Sequence, residues 1–312
     1  MWLRTSTKAF VAWLIVFLTT LLLTTSAVSQ DTRTITHALG ETEIPASPVR
    51  VLALGEEGLL LDLLLAGIKP VASNANIPEA IPLVSEGELE GVELFPSAGQ
   101  VSLEVLQSFQ PDLIIGATYF IEELGYDLLS EIAPTVAING DTTLASYQET
   151  FRIFGNEDEA LANIERLKQR IKAEGETLEA TTRTLSVVTV YPGPNVAAWL
   201  DGPLPLPELL LELGFSLRPA LADVEGLGLR QGRVFLSLEQ LPLLDAETIL
   251  LLQSNLVEGE EEAALELGQH PLWLQLPAVK NERVLSFDRL GYPGFRGYEK
   301  LLGDVVTVLR EE

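Results

Sequence analysis

The sequence repeats itself at a fixed internal offset. Ser102-Leu103-Glu104 opens a short helix-forming stretch that leads to Asp112-Leu113-Ile114-Ile115. Ser237-Leu238-Glu239 leads in the same number of steps to Glu247-Thr248-Ile249-Leu250. Each copy reads as a helix feeding a buried strand. A chain that builds this unit twice is constrained to two similarly constructed lobes with a cleft between them. Each lobe carries a matching glutamate on its outer face, Glu104 or Glu239.

Around each copy, strands alternate with helices, the signature of an α/β fold. Residues 49–54 read as a strand that is apolar apart from Arg50, the pattern of a parallel strand covered on both faces. Glu56 and Glu57 follow in a first helical turn, where the helix dipole favours acids, and Gly67 closes the helix over 59–66. Helices over 103–109 and 121–132 alternate with strands at 113–116 and 135–138. In the second half, strand 185–191 precedes a Pro/Gly-rich stretch, 192–207, read as a loop. A helix over 208–213, strands at 248–253 and 283–287 and a C-terminal helix from Tyr298 complete it.

Residues 157–182 form the longest helical candidate. Ala160, Ile164, Leu167, Ile171 and Leu178 mark one apolar stripe on a charged helix, which predicts a rigid connector. The expected division is a signal peptide over 1–29, an N-terminal α/β lobe over 30–143, a helical connector over 144–183 and a C-terminal α/β lobe over 184–312.

The leader sets the expected compartment. Arg4 and Lys8 make a basic start, residues 9–23 are apolar, and Ala27-Val28-Ser29 is a small-residue cleavage signal. The chain has no Cys, so a lipoprotein anchored through cysteine is excluded, as are disulfides, thiolate metal sites and a Cys nucleophile. A soluble, monomeric periplasmic protein is expected, with no membrane insertion after cleavage. The mature chain would hold 18 basic against 45 acidic residues, a formal charge of −27. That charge excludes nucleic acid and anionic membrane as partners.

The ordered motifs resemble those of the iron-siderophore-binding proteins of ABC importers. Residues 48–55 (Pro-Val-Arg-Val-Leu-Ala-Leu-Gly), 66–71 (Ala-Gly-Ile-Lys-Pro-Val), 102–106 with 111–116, and 132–136 correspond to the first lobe of that family. His270-Pro271-Leu272-Trp273 through Asn281 correspond to the second, and Trp273 is assigned to its core. The resemblance implies two α/β lobes joined by a single long helix, a ligand cleft between them and little hinge motion. It also implies that Glu104 and Glu239 dock onto the permease subunits of the importer. The vitamin B12 and haem carriers share the fold, so haem or cobalamin stay open as ligands.

Ligands of open α/β units bind beyond the carboxyl ends of the strands. The candidate ligand-binding residues there are Gln100, Tyr119, Tyr191, Trp199, Arg230, Arg233, Arg289, Tyr292 and Arg296. Aromatic faces suit the organic skeleton of a ferric siderophore, and arginine forks suit the oxygens around its iron. The iron would stay in its chelator, so no metal ligand and no cofactor is expected. Arg289, Tyr292 and Arg296 are expected to cluster in a Gly-rich turn. Enzymatic readings are poor: there are two His, no Gly-x-Ser-x-Gly elbow and no phosphate loop. A glycoside hydrolase using paired carboxylates is the rival from another class.

Overall fold

The computed structural model describes residues 31–310, apart from 76–82, 86, 97–100, 181–182, 194, 203, 255–257 and 289–290. The expected signal peptide, Gln100 and Arg289 lie outside the described residues.

The first lobe opens with a hairpin, β1 (Thr32–His37) and β2 (Gly40–Pro45). Then follow β3 (Val51–Leu54), α1 (Glu56–Leu65), β4 (Ala72–Ser73), β5 (Glu93–Leu94), α2 (Leu103–Ser108) and β6 (Leu113–Ala117). The short helices α3 (Thr118–Leu124) and α4 (Tyr126–Ser130) lead to β7 (Thr135–Ile138). Strands β3 to β7 form one parallel sheet in the order β5-β4-β3-β6-β7. Its residues alternate between two cores: Val51, Ala53, Leu113 and Ile115 pack on one side, and Leu52, Leu54 and Ile114 on the other. A strand buried on both faces must be apolar throughout, which is why 51–54 carries no polar residue. The single helix expected over 121–132 is broken in two by Gly125, whose φ of +93° cannot continue a helix.

Helices α5 (Thr143–Ile153) and α6 (Glu157–Thr177) link the lobes. The second lobe contains β8 (Thr184–Tyr191), β9 (Asn195–Trp199), α7 (Pro205–Leu213), β10 (Ser216–Leu217), β11 (Leu229–Arg230), β12 (Arg233–Leu236) and a 3-10 helix over Leu238–Leu243. Next come β13 (Thr248–Gln253), α8 (Glu260–Leu267), α9 (Pro277–Lys280), β14 (Val284–Asp288) and α10 (Gly294–Arg310). The sheet order is β11-β12-β9-β8-β13-β14, with β10 also paired to β8. Strands β13 and β14 run parallel to β8, while β9 and β12 continue the sheet antiparallel. The architecture is thus the expected pair of α/β lobes joined by a long helix.

The repeated motif performs the same task twice. Asp112 accepts the backbone N–H groups of Val49 and Arg50 at 2.8 and 2.9 Å, just before β3. Glu247 accepts the N–H of Thr184, the first residue of β8, at 3.2 Å. Each carboxylate pins the start of one strand of its lobe's main sheet, β3 or β8, to the strand its own motif feeds. The second copy winds as a 3-10 helix and contains Pro242, which cannot donate an α-helical hydrogen bond.

The apolar stripe of α6 (Ala160, Ile164, Leu167, Ile171) enters a core shared with α5, α7 and α10. There α6 approaches α7 so closely that a Cβ on Gly175 would lie 2.0 Å from the carbonyl oxygen of Leu213. Alanine at 175 would raise helix propensity by about 1 kcal/mol. The backbone clash outweighs that gain, because one helix must move. Gly175→Ala is therefore expected to destabilise the chain by about 1–3 kcal/mol in urea unfolding.

Candidate functional site

The carboxyl ends of β3, β6 and β7 open onto one cavity of about 720 Å³. Helices α1, α3 and α5 start there, because each follows one of those strands, and their first turns bring Gly55, Thr118, Tyr119 and Thr143 to the wall. Pro205 and Gly294, from beyond the connector, also line it. Tyr119 is 55% exposed and donates its hydroxyl to Glu56 Oε2 at 3.2 Å. Burial, followed by the charge of Glu56, raises the Tyr119 phenol above its ordinary range. Glu56 itself sits at φ +58°, left-handed for a non-glycine residue, with its N–H held by Asn74 Oδ1 at 3.1 Å. Strain of this kind is retained where surrounding contacts fix it.

The loop after β7 was not among the expected ligand loops, yet Asn139, Gly140, Asp141 and Thr142 line this cavity with Ser146 and Thr150 of α5. The strand-end rule that flagged Tyr119 applies equally here. Gly140 is required by packing: a Cβ would meet Ser146 Oγ at 1.8 Å.

The second lobe builds a different wall. On β8, β9 and β12 alternate residues face opposite sides of the sheet. Val188, Val190, Val196, Ala198, Val234 and Leu236 go into a core. In register on the other face stand Val187, Trp199 and Arg233 in one row, and Thr189, Ala197 and Phe235 in the next. Trp199 Nε1 donates to Thr189 Oγ1 at 2.8 Å, which fixes the indole. The Arg233 guanidinium lies 5.0 Å from the centre of the Trp199 ring and donates to Tyr191 Oη at 2.7 Å and Gln231 Oε1 at 2.8 Å. Its buried Nε has no hydrogen-bond partner. Arg230 is the cross-strand neighbour of Arg233. Both arginines, Tyr191 and Phe235 border a cavity of about 670 Å³.

The structure therefore brings Tyr191, Trp199, Arg230 and Arg233 together and sets Tyr119 on the first-lobe cavity. It does not form the expected cluster of Tyr292 with Arg296. Helix α10 begins at Gly294, four residues before the expected start, and this places Arg296 in its first turn. There Arg296 forms a two-pronged bridge to Glu88, at 2.9 and 2.7 Å, and donates to the Leu83 carbonyl. Tyr292 stacks on Phe287 at 5.9 Å, donates to Asp304 at 2.9 Å and lies under Lys300. Glu104 and Glu239 are exposed, and each carboxyl is held below its usual range first by its own backbone N–H and then by the hydroxyl of Ser102 or Ser237.

The sequence profile of a family described as periplasmic binding protein matches residues 53–289. The chain is 28% identical over 295 residues to the Fe(3+)-citrate-binding protein YfmC of Bacillus subtilis, covering 91% of this chain and 87% of that protein. It is 28% identical over 296 residues to the probable siderophore-binding lipoprotein YfiY of the same organism, covering 89% and 88%. Its fold resembles that of Staphylococcus aureus SirA complexed with staphyloferrin B, with a TM-score of 0.70 and 25% identity, covering 90% of this chain and 98% of that one.

The Arg296 bridge pulls the Glu88 carboxyl down to about 2. A depressed carboxyl stabilises the fold above its unfolded value and loses that contribution as pH falls toward the folded one. Arg296→Met should thus cost about 1–2 kcal/mol at neutral pH, and the cost should shrink from about pH 4.5 to 2 in chemical denaturation.

Proposed function

The chain belongs to the periplasmic binding protein family, and from that membership we propose that it captures a ferric siderophore and delivers it to an ABC importer. The observation that carries the reading is the second-lobe wall. In a chain of net charge −25, Arg230 and Arg233 stand side by side without an acidic partner among the described residues. Two unspent cations flanked by Trp199, Tyr191 and Phe235 form a surface for an oxygen-rich, anionic chelate with an organic skeleton. The relatives fit this chemistry: one is described as binding Fe(3+)-citrate and another as siderophore-binding.

The iron remains in its chelator in this reading. Arginine and tyrosine recognise the chelate's oxygens and rings, and the protein contributes no ligand to the metal. Haem is the weaker alternative. A tyrosine ligates haem iron as phenolate, and the phenol of Tyr119 is pushed away from ionisation by burial and by Glu56. Tyr292 is engaged with Asp304 and Phe287.

Members of this family bind substrates rather than transform them, and we read the chain as a carrier and not as a hydrolase. Residues 1–29 are read as a cleaved leader to the periplasm. The sequence has no Cys on which a lipid could be carried, unlike a lipoprotein. Glu104 and Glu239 are read as the docking pair for the permease, one exposed carboxylate per lobe at equivalent positions of the repeat. The helix dipole alone would favour an acid at either place, so it is their shared position in the two lobes that supports the pairing.

Fluorescence titration tests the ligand. Beyond the leader only Trp199 and Trp273 remain, and Trp273 is 5% exposed. Saturable quenching by a ferric citrate-type, catecholate or hydroxamate chelate is expected, and Trp199→Phe should remove most of it. Quenching by haem or cobalamin alone would replace the substrate. Arg233→Ala is expected to weaken binding by about 1–3 kcal/mol, about five- to 150-fold in Kd, as for a lost charged hydrogen bond. The pair Glu104→Arg with Glu239→Arg should abolish cellular uptake and leave the Kd unchanged; a loss of affinity would remove the docking role.

A further inference from the structure

The C-terminal helix starts against the other lobe. Asp62 of α1 is 2% exposed, and its Oδ1 accepts the backbone N–H of Phe295, 2.9 Å away in the first turn of α10. That N–H belongs to the first helical turn, whose donors have no partner within the helix. A carboxylate 233 residues away in sequence thus caps α10. The approach is close: a Cβ on Gly294 would lie 2.8 Å from the Gly58 carbonyl oxygen and 2.9 Å from Asp62 Oδ1. Phe295 stacks on Tyr147 of α5 at 4.2 Å. Asp62, Gly58 and Gly294 also line the 720 Å³ cavity, so one small group of atoms both joins the lobes and borders the pocket.

We propose that Asp62 is a positioning residue that couples occupancy of the first-lobe cavity to the seating of α10, by exchanging one proton. The coupling rests on reading that cavity as part of the siderophore site; the cap itself does not. Burial pushes the Asp62 carboxyl up to about 7, against the Phe295 N–H and the charge of Arg296. The groups around it are Arg296 on α10, itself engaged by Glu88, and the Tyr147 phenol on α5. Glu56 and Glu57 lie in the first turn of α1, Glu122 and Asp141 line the cavity, and β3 contributes only apolar side chains. An anionic ligand in the cavity disfavours a charged Asp62. Binding therefore takes up a proton near neutral pH, and by linkage affinity tightens as pH falls.

Two variants separate the parts. Asp62→Asn keeps the acceptor and removes the ionisation; Asp62→Ala removes both. Thermal unfolding without ligand tests the cap. The folded state holds this proton more tightly than the unfolded state, so the wild type loses stability as pH rises from about 4 to about 7 and is level above. The Tm of the Asn variant should gain on wild type across that window, with the Ala variant below both. An Asn-minus-wild-type difference that is constant with pH overturns the titration of Asp62, whatever the ligand. Titration with ferric citrate at pH 6 and 8 tests the coupling: wild type should bind about three- to tenfold tighter at pH 6 than the Asn variant's own pH dependence accounts for. Identical pH dependence in both proteins overturns the coupling. Absence of binding by any ferric chelate at either pH overturns the siderophore reading and the coupling with it, while the Tm comparison still decides the cap.

Discussion

Two carboxylates anchor the molecule. Asp112 holds the chain entering β3, and Glu247 holds the first residue of β8. Each lies immediately before the strand that pairs in parallel with the one it holds, β6 in one lobe and β13 in the other. Parallel pairing needs a crossover and has no hairpin to set its register. A side chain that ties the two strand starts together supplies that register locally. Once it is set, the strands end level, and the helices that follow them begin around a common opening. The first-lobe cavity is a consequence of this alignment.

The second lobe departs from the first where function requires it. Its sheet continues antiparallel through β9 and β12, and one face of that extension carries Trp199, Arg233 and Phe235 in neighbouring rows. The opposite face packs against α8 and the Trp273 turn and is apolar apart from the buried Ser186. The wall is stiff for chemical reasons: the indole is tied to Thr189, the guanidinium lies over the indole, and the Tyr191 hydroxyl accepts from the guanidinium. A binding surface whose side chains are already ordered loses less entropy when the ligand arrives.

The strands and helices with strong periodicity were legible: the apolar run of β3, the stripe on α6 and the repeated Ser-Leu-Glu unit. The stretch 192–207 has the composition of a loop, yet it contains β9. Pro192 and Gly193 are turn residues, but Val196-Ala197-Ala198-Trp199 is a strand once Tyr191 turns back on it. Structureless loops of that length are uncommon inside a compact lobe. Helix α10 starts four residues before its sequence pattern predicts, because its cap is not in the neighbouring sequence; Asp62 supplies it from the other lobe. For the same reason Arg296 looked available, since Glu88 is its neighbour only in space.

The sequence by itself determined that there are two α/β lobes, that a charged helix with one apolar stripe joins them, and which segments supply the aromatic and arginine side chains. These properties live in spacings of two, three and four residues, which a chain displays before it folds. Only the tertiary structure decided which of those side chains share a wall. Arg233 meets Trp199 through the register of β12 on β9, and Tyr191 through the hairpin of β8 with β9. Arg296 and Tyr292 are drawn to Glu88 and Asp304 by contacts that need the folded chain. Local pattern fixes what a segment is; the partner each side chain keeps depends on long-range register, and that is set only when both lobes have closed their cores.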